Sequence, residues 1–289
     1  MKTKILNLFS NVSVDDTKFK GGHGQSFLIT IGDEKILYDT GLNSETLLHN
    51  MGALNVSADD ITKLVLSHGH FDHTGGIPGL LNKRTSNNNL PLIAHPDFSE
   101  SKIYKLFKII KKNIGSPEIT EEQMSKVNIQ LTNEPVELAP NLKTTGEITD
   151  RSQILSIEHK ALHRENGKYV VDPIKDDVSL VLSTEDGEVI ISGCAHAGIL
   201  NICEYVKKTT GNKIRAIIGG THMVRFSEDE VKHVASKFVS DYDNPDLYLN
   251  HCTDYLPDPF GKKTKATVIL RKELGDKVKD CFVGTELEF

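Results

Sequence analysis

Apolar positions recur along this chain in two rhythms. In "SFLITIGDEKILYDTG" (residues 26–41) two β-rich runs flank Gly32 and Asp33, which predicts a hairpin. "DITKLVL" (60–66) alternates and then runs apolar, and "LPLIAHPDF" (90–98) holds a second apolar strand. In the second half, "DDVSLVLSTEDGEVIISGCAH" (176–196) reads as strand, D-G turn and strand, and "IRAIIGGTH" (214–222) as a buried strand. "DLYLNHCT" is a late strand, and "KATVIL" and "CFVGTELEF" are expected to close the sheet as strands. The other rhythm is helical. It predicts helices in "SETLLHNMGA", "NICEYVKKTTG" and "EDEVKHVASKFVS". Strands alternating with helices predict an α/β fold.

Residues 97–150 interrupt this alternation and read as an insertion. In "SKIYKLFKIIKKNIG" (101–115), Ile103, Leu106, Phe107, Ile110 and Ile114 share one helical face, and Lys102, Lys105, Lys108 and Lys112 share the other. The expectation is an amphipathic helix stopped by Gly115, its lysines either solvated or forming a lid that attracts an anionic substrate. "SPEITEEQ" begins a second short helix.

The chemistry lies at the strand ends. "SHGHFDHTGG" (67–76) places His68, His70, Asp72 and His73 directly after an apolar strand. On extended backbone His68 and His70 point to one side, and Asp72 and His73 follow from a turn tightened by Gly75 and Gly76. Imidazole and carboxylate are ligands for zinc, iron or manganese. A packed core would not choose four such groups, because burying them without partners is costly. His95, His196, His222 and His251 also sit at strand ends.

H-x-H-x-D-H after an apolar strand resembles the metallo-β-lactamase superfamily. The resemblance implies an αββα sandwich over residues 1–289 with its metal site at the edge between two sheets. It implies that His68 and His70 serve one ion with His196 as third ligand, and that Asp72 and His73 serve a second, completed by His251. Asp39, before Gly41, would steady the metal loop through hydrogen bonds. Cys194 stands where many relatives carry a bridging aspartate, and is either a ligand or a buried thiol. His222 in "GGTHM" and His23 in "GGHGQS" read as substrate contacts, with Asp72 and His222 the catalytic pair. His95 is left unassigned. The further motifs "DTG", "GCAHAG", "NHCT" and "VGTELEF" resemble a branch that includes dihydropterin-linked ribofuranosyl aminobenzene phosphate synthases. Ala197, Thr221 and Asp254 depart from that branch's pattern.

The implied cofactor is a pair of divalent metal ions, zinc first, with iron or manganese also suited. The implied activity is hydrolysis of an ester, lactone or phosphoester, with transfer between a dihydropterin diphosphate and an aminobenzene ribofuranosyl phosphate as the alternative. The expected partner is a small, anionic substrate. Nucleic acid is not expected, since the formal net charge is −6. Four cysteines without C-x-x-C spacing argue against a zinc ribbon or disulfide framework. No secretory signal or membrane-length apolar run is read, so a cytoplasmic location is expected.

Overall fold

The computed structural model describes residues 2–106, 110–156, 158–255 and 265–289. In chain order, β1 (Thr3–Phe9), β2 (Ser26–Ile31), β3 (Glu34–Tyr38), β4 (Lys63–Val65) and β5 (Leu90–Ala94) build a first sheet. Strands β6 (Lys102–Leu106) and β7 (Ile110–Asn113) leave it, and β8 (Val127–Leu131) returns to its edge. The second sheet begins with β9 (Glu137–Ala139) and β10 (Leu142–Thr144). Strands β11 (Ala161–Glu165) and β12 (Lys168–Val171) then pair with β6 and β7 in a separate four-stranded sheet. The second sheet is completed by β13 (Leu180–Thr184), β14 (Gly187–Ser192), β15 (Ile214–Gly219), β16 (Asp246–Leu249) and β17 (Val278–Asp280). Finally β18 (Glu286–Glu288) crosses back to pair antiparallel with β1.

Period-two alternation explains the layering. In β2, Phe27, Ile29 and Ile31 face the core between the two large sheets, while Leu28 faces outward. In β14, Val189 and Ile191 enter that same core, and Ile190 faces the helices behind the second sheet. The outward face of the first sheet is covered by α1 (Ser44–Ala53), which supplies Leu47 and Met51 to its core. Two further short helices follow, α2 (Phe71–Thr74) and α3 (Ile77–Lys83), the latter adding Ile77, Leu80 and Leu81. After α4 (Glu121–Met124), the second sheet is covered by α5 (Ile199–Thr210), α6 (Glu228–Ser240) and α7 (Ala266–Leu274). Both large sheets are therefore buried on two faces, which is why their strands read as continuous apolar runs. The layers are helix, sheet, sheet, helix, as expected.

The amphipathic helix expected over 101–115 is not formed. Lys102–Leu106 and Ile110–Asn113 are strands of a hairpin, and β6 also pairs with β11 through Leu162 opposite Ile103. Apolar and lysine positions there fit a helix locally, but pairing with a strand some sixty residues later decides the outcome, and β-branched Ile103 and aromatic Tyr104 suit it. Lys102 is 2% exposed rather than on a solvated face, so the lysine lid is withdrawn. Phe107, Lys108 and Ile109 lie outside the described residues. The second short helix is present as α4, held by a capping box between Thr120 and Gln123. A second correction concerns "KATVIL", which belongs to α7: Ala266, Thr267 and Leu270 are buried while Val268 is 57% exposed, a helical face.

Candidate metal centre

Strands β4, β14, β15 and β16 end at one edge of the sandwich, and the histidines follow from their ends. Beyond β4, the chain runs through Ser67 to His70 before α2 carries Asp72 and His73. Gly75 has an ordinary φ, so its role is not to tighten a turn; a Cβ there would lie 1.9 Å from the carbonyl oxygen of Leu42. The loop after β3 thus packs directly on the ligand loop, and Thr40 N donates to His73 O at 2.7 Å. Four residues of this edge, Asp39, Ala195, His222 and His251, hold left-handed backbone with φ of 62°, 56°, 51° and 44°. Each costs about 1–3 kcal/mol, a strain typical of sites whose side chains must be aimed.

Asp39 bonds to the loop that carries the histidines. It is fully buried and accepts from Ser67 N at 2.8 Å, from Ser67 Oγ at 2.7 Å and from His73 Nδ1 at 2.7 Å. With Nδ1 committed, His73 presents Nε2, which lies 3.1 Å from Cys194 Sγ. His251 is oriented likewise: its Nδ1 donates to Asn11 Oδ1 at 2.8 Å, leaving Nε2 3.3 Å from Asp72 Oδ2. His23 Nε2 lies 2.9 Å from the same Asp72 oxygen. His222 Nδ1 is 3.0 Å from Ser156 Oγ, and its ring centroid is 4.5 Å from that of His196.

Among the described residues, three sets of donors converge closely enough to hold an ion: His68, Cys194 and His196; His73, Cys194 and His251; and His23, Asp72 and His251. Cys194 is common to two of them. His70 joins none of these sets, although its Nδ1 is 3.0 Å from His68 Nε2. The grouping differs from the expectation: His23, read as a substrate contact, lies in one of the sets, His70, read as a ligand, lies in none, and Cys194 is shared by two. Asn11, Ser67 and Ser156 orient rings and were not anticipated, since single polar residues in loops carry no pattern. The branch departures are also placed: Asp254 accepts from Thr267 N at 3.1 Å and so faces α7, while Thr221 Oγ1 is 3.0 Å from Thr253 Oγ1. Unassigned His95 caps the turn at 96–99, accepting from Asp97 N at 3.1 Å.

The electrostatics fit a cation. Burial holds the rings of His68 and His196 well below the ordinary histidine range, with neighbouring histidines adding to the effect, and it also lowers His70. Burial, with Arg225 beside it, brings His222 down to about 3, and burial brings His251 to about 3 against the pull of Asp72. A neutral imidazole is the metal-binding form. Among the described residues the buried Nε2 atoms of His70 and His196 have no hydrogen-bond partner, and orphaned lone pairs of this kind are costly unless a cation or proton meets them. For Asp72, burial raises the carboxyl, but the charges of His23 and His73 outweigh it and hold the group well below the carboxylate range. Burial also lowers His73, yet Asp39 and Asp72 raise it to about 9. The Cys194 thiol is pushed well up, by burial first and by Cys252 next.

A family model for the metallo-β-lactamase superfamily matches residues 20–205. The chain belongs to the metallo-β-lactamase superfamily. It is similar to 7,8-dihydropterin-6-methyl-4-(β-D-ribofuranosyl)-aminobenzene-5'-phosphate synthase of Methanocaldococcus jannaschii, 32% identical over 268 residues, 87% of this chain and 88% of that one. An uncharacterised protein of the same organism is 30% identical over 250 residues, 84% of this chain and 90% of that one. The crystal structure of Tm1679, a metal-dependent hydrolase of the β-lactamase superfamily, superposes with a TM-score of 0.80 at 24% identity, covering 99% of each chain, and shows the shared fold. No helix among the described residues is long and apolar enough to cross a membrane.

Proposed function

We propose that this chain is a binuclear metal-dependent transferase that joins a dihydropterin diphosphate to an aminobenzene ribofuranosyl phosphate. The observation that carries the reading is its identity, along most of both chains, to the synthase of that product. The sequence alone put hydrolysis first; that relative reverses the order. Hydrolysis of an ester, lactone or phosphoester uses the same donors, so the donors themselves do not separate the two.

We assign His68, His70 and His196 to one ion, His73, Asp72 and His251 to the other, and Cys194 between them. When bound, two divalent ions supply positive charge that holds and polarises anionic oxygens, here those of a diphosphate leaving group. Nitrogen and oxygen donors suit zinc, iron and manganese, and the thiolate shifts the preference towards zinc. Asp39 and Asn11 hold the rings of His73 and His251 with Nε2 facing inward. His222, fixed at Nδ1 by Ser156, contacts the substrate through Nε2. In the transfer, the aminobenzene bonds to the pterin's methylene carbon, the carbon–oxygen bond to diphosphate breaks, and diphosphate leaves with the electron pair. The acceptor's proton is released to a base or water. The substrates are small anions, and no nucleic-acid partner is assigned.

The test is to incubate metal-loaded protein with the two substrates and follow the joined product by mass spectrometry and diphosphate release. Coupling at a rate above hydrolysis of the donor is expected. Release of diphosphate without coupling, or faster turnover of lactone, ester or phosphodiester substrates, would return the chain to the hydrolase reading.

A further inference from the structure

Two adjacent aspartates between β12 and β13 reach the two principal donor loops from outside. Asp176 and Asp177 are both buried, at 0% and 1% exposure. Asp176 Oδ2 accepts from Gly69 N at 2.7 Å, the amide between His68 and His70. Asp177 Oδ2 accepts from Ala197 N at 2.8 Å, the amide directly after His196. The next residue, Val178, donates its N–H to Ser67 O at 2.8 Å. Three consecutive residues therefore hold the chain on both sides of His68 and immediately beyond His196. Consecutive Cα atoms are about 3.8 Å apart across a trans peptide, so the separation of the two loops is set by a covalent ruler.

The ruler is itself anchored to the four-stranded sheet. Lys102 of β6 reaches Asp176 Oδ1 at 3.0 Å and Asp172 Oδ2 at 3.1 Å. Between these aspartates the β-branched Ile174 takes a left-handed conformation, φ 49°, with its N–H donating to Asp172 Oδ1 at 2.8 Å. Arg151 clamps the same bend by donating to Pro173 O at 2.6 Å and to Ile174 O at 3.1 Å. A β-branched residue adopts this backbone only where its surroundings over-determine it. Among the described residues Asp177 Oδ1 has no hydrogen-bond partner, so burying this carboxylate is costly.

We propose that Lys102, Asp176 and Asp177 are positioning residues that set the spacing of the His68–His70 loop against His196. Through Lys102 the four-stranded sheet, which contributes no donor among the described residues, determines the geometry of one ion's site. This rests on the assignment of His68, His70 and His196 to one ion. A gap at Asp177 frees Ala197 N and loosens His196; neutralising Lys102 leaves two buried carboxylates facing each other and loosens Gly69. The other ion's donors, His73 and His251, are held by Asp39 and Asn11; the device reaches that side only through Val178 and Ser67, not through Lys102, Asp176 or Asp177.

The experiment measures zinc affinity of the full chain by chelator competition, the visible spectrum of the cobalt-loaded protein and unfolding of the metal-free protein. Variants are Asp177→Ala, Asp177→Asn, Lys102→Met and the charge-balanced pair Lys102→Met with Asp176→Asn. In Asp177→Ala one of two zinc affinities should weaken about 10–100-fold, as for loss of a ligand's supporting partner, and the cobalt spectrum should change. The other affinity should move less than about threefold, and Asp177→Asn, which keeps an oxygen in place, should recover part of the loss. The double variant guards against misfolding of Lys102→Met and should show the same selective weakening. Equal weakening of both affinities together with a lowered unfolding midpoint would overturn the proposal in favour of an ordinary scaffold role, and unchanged affinities and spectrum would also overturn it. Wild-type protein that takes up no ion would instead remove the assignment of the ligands, and the proposal with it.

Discussion

Cys194 Sγ lies 3.1 Å from His73 Nε2, and the same sulfur converges within 4.8 Å with donor atoms of His68 and His196. One thiol therefore faces both donor sets. Cys194→Ala should lower bound zinc below two ions per chain and remove the thiolate-to-cobalt charge-transfer band of the cobalt-loaded protein. Cys194→Asp should restore two ions without that band, because a carboxylate can reach both sides. Metal analysis of both variants after identical loading checks this. Two ions retained in Cys194→Ala would make the cysteine a buried thiol and nothing more.

Metal uptake should release protons and strengthen with pH. Without metal His73 is protonated below about 9, and the Cys194 thiol is held up by burial. Both must lose a proton to bind, and each proton displaced steepens the affinity by up to about tenfold per pH unit. His68, His70, His196 and His251 are already neutral and release none. Calorimetric titration at pH 7 in buffers of different ionisation enthalpy counts the protons, and the expected number is one to two. A value of zero would mean that His73 and Cys194 are not ligands.

The same shifts bear on the metal-free protein with opposite signs. His68, His196 and His251 are depressed, so their contribution to stability is present above about pH 6.5, the unfolded histidine value, and is lost as pH falls below it. His73 is raised, so its contribution is present below about 6.5 and lost as pH rises towards 9. Metal-free protein should therefore be most stable near neutrality, and saturating zinc should shift and broaden that maximum to higher pH. Denaturant midpoints across pH 5–9, with and without zinc, check both limbs.

The readable parts of this chain were those in which local pattern and tertiary demand agree. The helix Glu228–Ser240 has its apolar stripe and a capping box between Ser227 and Glu230, so its bounds follow from local chemistry. The hairpin at Gly32–Asp33 and the strand-end histidines were legible for the same reason. The strand Lys102–Leu106 was not, because its partner, Ala161–Glu165, is distant in sequence and its lysine is buried by aspartates later still. At the site, residue type and spacing single out the His68–His73 segment, but not which of its side chains converge with His23, Cys194, His196 and His251. Whether Cys194 joins His68 or His73 depends on where four strand ends meet, and spacing within one segment carries no such information.

Asp39→Asn tests how far a ligand depends on its support. The amide keeps the size of the group and one acceptor but removes the charge that faces His73 Nδ1 at 2.7 Å. The ring is then free to present either nitrogen. Zinc affinity should fall about 10–100-fold at the affected ion, the usual cost of losing such a partner. The proton count should also fall, because His73 would no longer be held up to about 9 in the metal-free protein. Unchanged affinity with an unchanged proton count would mean that Ser67 alone fixes this loop.

Substituting His222 tests whether chemistry can be separated from metal binding. It stands in none of the three converging donor sets, although its ring is 4.5 Å from His196. Its Nδ1 is tied to Ser156, and burial with Arg225 keeps the ring neutral, with a value of about 3. A neutral ring beside the ions can donate one hydrogen bond to an anionic substrate without competing for metal. His222→Ala should therefore keep two ions per chain and lose turnover by roughly 10²–10⁴-fold, the range for removing a proton-handling or charge-stabilising group. Ser156→Ala should cost less, because it loosens the ring without removing it, and the loss should fall mainly on kcat. Parallel metal analysis and steady-state kinetics on both variants decide the matter. A His222→Ala protein that loses an ion would move His222 into the donor set and leave the substrate contact to another residue.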